Sequence, residues 1–309
     1  MKSKTLYFLL GSLTTILLIV ILNFSYGDEI NSVTLFPQQY RIKTPLVASN
    51  LDFCGEEVPL YNPEVKERIE REFIVNTYWH SATVLLLKNA NRWFPVIEPI
   101  LEKYGVPDDF KYMCMIESNL SNAISPVGAV GFWQFMKAAA QKYGLEVNGE
   151  IDERYNVEKS TEAACKYLKE SYASYGNWTM AAGSYNMGLN GIDNQMERQM
   201  TGSYYNLVLN EETSRFVARI VSMKMIHKNP ERYGFDIPES ELYQPYKTYN
   251  VTIDSEVKHF AEFAKRHNVN YKTLKYFNPW LRDNYLTNKS KKKYEIKLPE
   301  IGTFELVKE

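Results

Sequence analysis

One carboxylate stands out by its surroundings. Glu117 sits in the stretch "MIESNLSNAISPVGAVGFWQFM", residues 115–136, between an apolar run and a cluster of small and polar residues. Read as helical, it has Met113 and Cys114 at i−4 and i−3, with Phe110 one turn further back on that face. A carboxyl projecting from an apolar stripe is partly desolvated, which disfavours its charged form and raises its pKa. A glutamic acid still protonated near neutral pH can pass its proton to a glycosidic oxygen as that oxygen leaves. By position alone a solvated acid at a helix end is the blander reading, and both stay open.

The residues after Glu117 bear on that choice. Ser118 can hold the carboxyl or a substrate hydroxyl. Ser125-Pro126, followed by Gly128, Ala129 and Gly131, makes a compact turn in which a ligand can approach the backbone closely. Trp133 and Gln134, expected to begin a helix over 132–143, add an aromatic face and a donor/acceptor. Taken singly, glycines usually mean a turn and a tryptophan usually means core.

The elements that must position these groups read as helices. Pro63 suits a first helical turn, and Val65, Ile69 and Phe73 follow at i+4 spacing. Trp93 to Tyr104 gives an amphipathic helix closed by Gly105. Pro107 with Asp108 and Asp109 then starts the helix of Glu117, with acids where the N-terminal dipole favours them. Further helices are expected at 158–175, 178–187 and 211–228. The first of these carries Ala164, Leu168 and Tyr172 on one face and ends at Gly176. Asn177 is the expected N-cap of the second. Between about 60 and 230 there is no convincing strand alternation, so a mostly α domain is expected over 61–232. A Pro-containing linker (233–246) leads to strand, helix, helix and strand within 247–300, a small βααβ module.

Composition excludes some partners. The 309 residues carry a net charge of −1, so no global field argues for nucleic acid. The run "KSKKK" (289–293) reads as a solvated loop. Cys54, Cys114 and Cys165 are far apart and His80, His227, His259 and His267 lack ligand-like pairing, so no metal and no cofactor are expected. Cys114 and Cys165 fall at apolar helical positions, where a buried thiol is the expectation, and a single disulfide stays open. Lys2 and Lys4 precede an apolar run from Leu6 to Phe24, with no charge until Asp28. Residues 1–27 thus read as a signal or membrane anchor, with the anchor preferred and "SYG" (25–27) offering a cleavage site. Residues 28–60 read as a tether able to pack on the domain, and the remainder is expected outside the cytoplasm.

The motifs, taken together, resemble the lysozyme-like lytic transglycosylases, which cleave bacterial peptidoglycan. "ES" followed by "SPVGAVGFWQFM" is similar to that family's signature, as are "DERYNVEKSTEAACKYL" (152–168), "AAGSYNMG" (181–188) and "ETSRFV" (212–217), in the family's order. The helical lead-in, "VKERIEREF" (65–73) and "PVIEPILEKYGVPDDFKYM" (95–113), resembles the membrane-bound D-type branch. The resemblance implies a lysozyme-like helical fold with Glu117 as the single catalytic acid/base. It implies that Ser125, Gln134 and Met136 line a sugar groove with Ser118 beside the acid. Tyr185 and Asn186 match the tyrosine block that orients substrate, and Glu212 matches an acid of the late block. Lys137 replaces the usual proline after Met136, Ser184 replaces the usual alanine before Tyr185, and the connection from Ser118 to Ser125 is slightly short. Residues 247–300 resemble a diverged lysin motif, a glycan-binding unit, but have Ile253-Asp254-Ser255 where Gly-Asp-Thr is usual.

The implied partners are peptidoglycan glycan strands and, through the N-terminal segment, a membrane. The implied location is the bacterial envelope, facing the periplasm. Cleavage of the MurNAc-GlcNAc bond would close a 1,6-anhydro ring on MurNAc. Rival readings are a muramidase that hydrolyses the same bond and a non-catalytic peptidoglycan-binding scaffold. Asp152, Glu153 and Asp193 are the candidates for the second carboxylate that retaining hydrolysis needs, each more simply read as a structural or surface acid.

Overall fold

A computed structural model describes residues 42–304. The sequence-read signal or anchor (1–27) and the first part of the tether lie outside them, and among the described residues no helix is long and apolar enough to cross a membrane. The fold is mostly α. Two short antiparallel strands, β1 (Asp52–Phe53) and β2 (Glu56–Glu57), precede α1 (Pro63–Tyr78) and α2 (His80–Tyr104). Then come α3 (Phe110–Ser118), α4 (Lys137–Lys142), α5 (Val157–Tyr175), α6 (Trp178–Met187), α7 (Leu189–Gln199) and α8 (Glu211–Lys228).

Local chemistry sets these boundaries. The Asn62 side chain accepts from the amide of Glu64 at 2.9 Å, and Pro63 takes the first helical position, where a missing N–H costs nothing. Asn156, Asn177 and Asn210 cap α5, α6 and α8 in the same way, each accepting from the amide three residues on. Gly105 and Gly176 end α2 and α5 with the left-handed turn that a helix C-terminus favours.

Two helix readings need correction. α2 begins at His80 rather than Trp93, because Leu86, Leu87 and Ala90 extend toward its N-terminus the buried stripe of Phe94, Ile97 and Leu101. The helix expected over 132–143 is confined to Lys137–Lys142. Ahead of it, Gly131 and Gln134 adopt positive φ (80° and 48°) and fold the chain into a tight hairpin instead.

α3 is buried on nearly every side and forms the axis of the core. α1 packs along α8, and α5 packs between α2 and α6. Leu51, Phe53 and Val58, from the segment read as a tether, belong to this core. Lys224 of α8, 4% exposed, ties that segment to α3 through Asp52 (2.9 Å) and Asp109 (2.7 Å). All three cysteines are free thiols, with Cys114 and Cys165 fully buried.

The C-terminal module is the expected βααβ unit: β3 (Thr248–Ile253), α9 (Phe260–Arg266), α10 (Tyr271–Phe277) and β4 (Tyr294–Pro299). β3 and β4 pair antiparallel, from Thr248 opposite Pro299 to Ile253 opposite Tyr294. Its own apolar core, built on Phe260, Leu274, Trp280, Leu281, Ile296 and Leu298, also takes in Val130, Ile151 and Tyr155 of the helical domain.

Candidate active site

Glu117 occupies the last turn of α3. It is hemmed in by protein yet neither fully buried nor exposed, and among the described residues none hydrogen-bonds its carboxylate. Desolvation by that surrounding protein pushes its pKa up to about 7, Arg219 pulls it back, and Glu212 pushes it further up. The carboxyl therefore holds its proton to about neutral pH and keeps its oxygens available to a ligand.

α8 supplies both modulating charges. Glu212 and Arg219 are seven residues apart, two turns, and so share a face. Arg219 is anchored by donating to the carbonyl of Ile116 at 3.2 Å, beside the acid. The sequence reading missed Arg219, although its seven-residue offset from Glu212 was the available signal. Glu212 is exposed and accepts from Asn186 Nδ2 at 3.1 Å, while Asn186 Oδ1 accepts from the Thr213 hydroxyl at 2.6 Å. Asn186 thus joins the end of α6 to the start of α8.

The hairpin 130–135 forms a second wall. Val130 and Phe135 exchange main-chain bonds at 3.1 and 3.2 Å, and Gln134 Nε2 donates to Gly131 O (2.7 Å) and Ala123 O (3.2 Å). A Cβ on Gly131 would lie 2.1 Å from the Arg154 carbonyl oxygen, so only glycine fits. Trp133 is wholly buried and donates to Thr161 Oγ1 at 2.8 Å. Tyr185 of α6 closes the arrangement: its hydroxyl donates to Trp133 O at 2.7 Å, and its ring meets those of Trp133, Phe135 and Tyr167 edge-on. Burial, then the charge of Glu117, pushes the phenol well above its ordinary pKa, so it stays a neutral donor.

The other expected residues are placed less directly. Ser118 is buried and donates to the carbonyl of Cys114 at 3.4 Å within its own helix. The Ser125 hydroxyl accepts from the amide of Ala129 at 2.9 Å and so fixes the turn. Trp133 and Gln134 lie in the hairpin, not in the helix expected to begin there. Met136 is 47% exposed, just before α4. Lys137 is the first residue of α4, a position that proline also suits because no amide partner is needed there. Ser184, in place of alanine, pairs its hydroxyl with that of Ser171 at 2.9 Å.

The candidate second carboxylates are all engaged elsewhere. Asp152 forms a two-pronged pair with Arg154 (2.9 and 2.7 Å). Glu153 is buried, pairs with Lys159 and accepts from the amide of Glu146 at 2.8 Å. Asp193 accepts from the Tyr175 hydroxyl at 2.8 Å.

Two stretches of the chain match family models. Residues 95–208 match the transglycosylase SLT domain, and residues 249–302 match the soluble lytic transglycosylase C-terminal LysM-like domain. The chain is 24% identical over 243 residues to the membrane-bound lytic murein transglycosylase D of Escherichia coli (strain K12), a span covering 76% of this chain and 52% of that one. The protein of the same name from Escherichia coli O6:H1 matches equally, at 24% over 243 residues, 76% of this chain and 52% of its own. The chain thus spans about half the length of the curated relatives it matches.

Proposed function

We propose that this chain, which carries a transglycosylase SLT domain followed by a LysM-like module, is a peptidoglycan lytic transglycosylase with Glu117 as its sole acid and base. The observation that carries the proposal is a single unengaged carboxyl, held protonated to about pH 7, beside the hairpin and Tyr185. Glu117 protonates the oxygen linking N-acetylmuramic acid to N-acetylglucosamine as the bond breaks. The oxocarbenium-like charge on the muramic acid is met by that sugar's own N-acetyl group. Glu117, now a carboxylate, takes the proton from the C6 hydroxyl, whose oxygen closes the 1,6-anhydro ring. Retaining hydrolysis would need a second carboxylate about 5–5.5 Å from the first, and Asp152, Glu153 and Asp193 are committed to other partners.

In this reading Tyr185 and Asn186 orient the glycan on one side and Ser125, Gln134 and Met136 line it on the other. Glu212 and Arg219 tune the acid. The protein works in the bacterial cell envelope, on the periplasmic side. The basic and apolar N-terminal segment and the membrane-bound relatives support anchoring there.

The test is digestion of purified sacculi with the chain from residue 28 onward, followed by mass analysis. Anhydro-ended muropeptides, one water lighter than reducing-ended ones, are the expected product, and Glu117→Gln abolishes their release. Reducing-ended products alone would make the protein a muramidase, and equal release by Glu117→Gln would remove Glu117 from the mechanism.

A further inference from the structure

The C-terminal module grips the segment that precedes α5. Ile151 and Leu281 form an isolated antiparallel bridge, flanked by Asp152 N donating to Trp280 O (2.9 Å) and Arg282 N donating to Glu150 O (2.8 Å). Glu150 accepts from the Thr287 amide (2.7 Å) and hydroxyl (3.0 Å), and the Arg282 guanidinium lies 4.2 Å from the centre of the Tyr155 ring. Leu281 and Ile151 are 0% and 1% exposed, so this is a seam of shared core rather than a surface touch.

From that seam a continuous set of bonds leads to the catalytic hairpin. Asp152 holds Arg154 through both carboxylate oxygens, and Arg154 Nη1 donates to Phe135 O (3.1 Å) and Gly128 O (3.2 Å). The Arg154 carbonyl is the atom against which Gly131 packs. Val130, at the start of the hairpin, places its side chain in the module's own core. Phe135 in turn meets Tyr185, whose hydroxyl holds Trp133.

We propose that the segment Trp280–Arg282 is a positioning element for catalysis. Through Asp152, Arg154 and Val130 it fixes the hairpin 130–135 against Glu117 and Tyr185, whatever glycan the module itself binds. The proposal rests on the lytic transglycosylase reading and extends it. A loosened hairpin admits water to the cleaved glycosyl centre. Water then donates its oxygen to C1 and its proton to Glu117, in competition with the C6 hydroxyl. The ratio of anhydro to reducing ends therefore reports hairpin position, and it does so independently of how much enzyme is folded.

The experiment compares Leu281→Ala and Arg154→Lys in the full chain. Lys297→Gln, which removes another cross-module ion pair off this route, serves as the control. The two route variants are expected to lower kcat on a soluble glycan about tenfold with KM within about twofold, since small misplacements of a reacting geometry are costly. They should also raise the reducing-end fraction several-fold and speed hydrogen exchange at the amides of Val130 and Phe135, while the control changes none of these. Unchanged product ratio and exchange in the route variants, or an equal change in the control, would overturn the proposal. If the parent enzyme made no anhydro ends, the transglycosylase reading would fall, and amide exchange would still decide whether the module fixes the hairpin.

Discussion

The Tyr185 hydroxyl donates to the main-chain carbonyl of Trp133 at 2.7 Å, so one bond ties α6 to the hairpin 130–135. Tyr185→Phe keeps the ring contacts and leaves a carbonyl without its donor. Loss of a partly buried partner of this kind costs about 1–3 kcal/mol. The expected outcome is a lower melting temperature together with a fall in kcat larger than any rise in KM. Calorimetry and steady-state kinetics on a soluble glycan check both.

Gly131→Ala tests the hairpin from the other side. Its φ of 80° already disfavours an L side chain, and the new Cβ would meet the Arg154 carbonyl oxygen at 2.1 Å. Neither atom is the end of a flexible chain, so backbone must move. A loss of about 3 kcal/mol or more is expected from overpacking and left-handed strain together. Denaturant unfolding reads the stability, and any folded fraction should be nearly inactive.

The helical frame was legible because its signals are local. Asn62, Asn156, Asn177 and Asn210 cap helices within three residues of themselves, and the buried stripes of α1, α5 and α8 repeat at helical spacing. Glu117 was legible for the same reason, as an acid among Phe110, Met113 and Cys114. The hairpin was not, since its shape depends on Arg154, far along the chain, reaching Phe135 and Gly128. Trp133 and Gln134 look like helix residues until Gly131 is pressed against that arginine's backbone. That the tether could pack on the domain was legible, but its buried residues Leu51, Phe53 and Val58 were not, because a short two-stranded turn has no period long enough to read. The reading of α2 ran through Pro95 and Pro99 as the helix does, but it missed the first part, from His80 to Arg92, where no cap marks the start.

Lys224 joins the N-terminal turn, α3 and α8 through Asp52 and the buried Asp109. Lys224→Met would leave the Asp109 carboxylate without its cation, still accepting from the Cys54 amide at 2.7 Å. Removing one member of a buried pair costs about 3–5 kcal/mol, mostly as the charge left behind. A double variant, Lys224→Met with Asp109→Asn, should recover part of that loss. Urea unfolding of the two variants separates charge burial from lost packing.

The alkaline limb of the proposed reaction should follow Glu117. Cleavage needs its protonated form, so kcat/KM is expected to fall about tenfold per pH unit above about pH 7. Arg219 favours the carboxylate and Glu212 opposes it. Arg219→Gln should therefore move the inflection upward, and Glu212→Gln should move it downward. Rate profiles on a soluble glycan between pH 5 and 9 would expose either shift, and inflections that fail to move in opposite directions would exclude this pairing.

The same raised pKa makes Glu117 a liability for stability. The folded protein holds this proton up to about pH 7, whereas the unfolded chain releases it near the ordinary value of 4.5. Folding thus binds a proton in that window, and stability declines as pH rises from 4.5 toward 7. The full shift would amount to about 3 kcal/mol, and partial access to solvent reduces this to about 1–3 kcal/mol. Glu117→Gln cannot ionise and should escape the penalty. That variant is therefore expected to match the parent's melting temperature near pH 4.5, to exceed it increasingly up to about pH 7 and to keep that margin above it. A constant difference across that range would mean that the carboxyl is not desolvated by the fold.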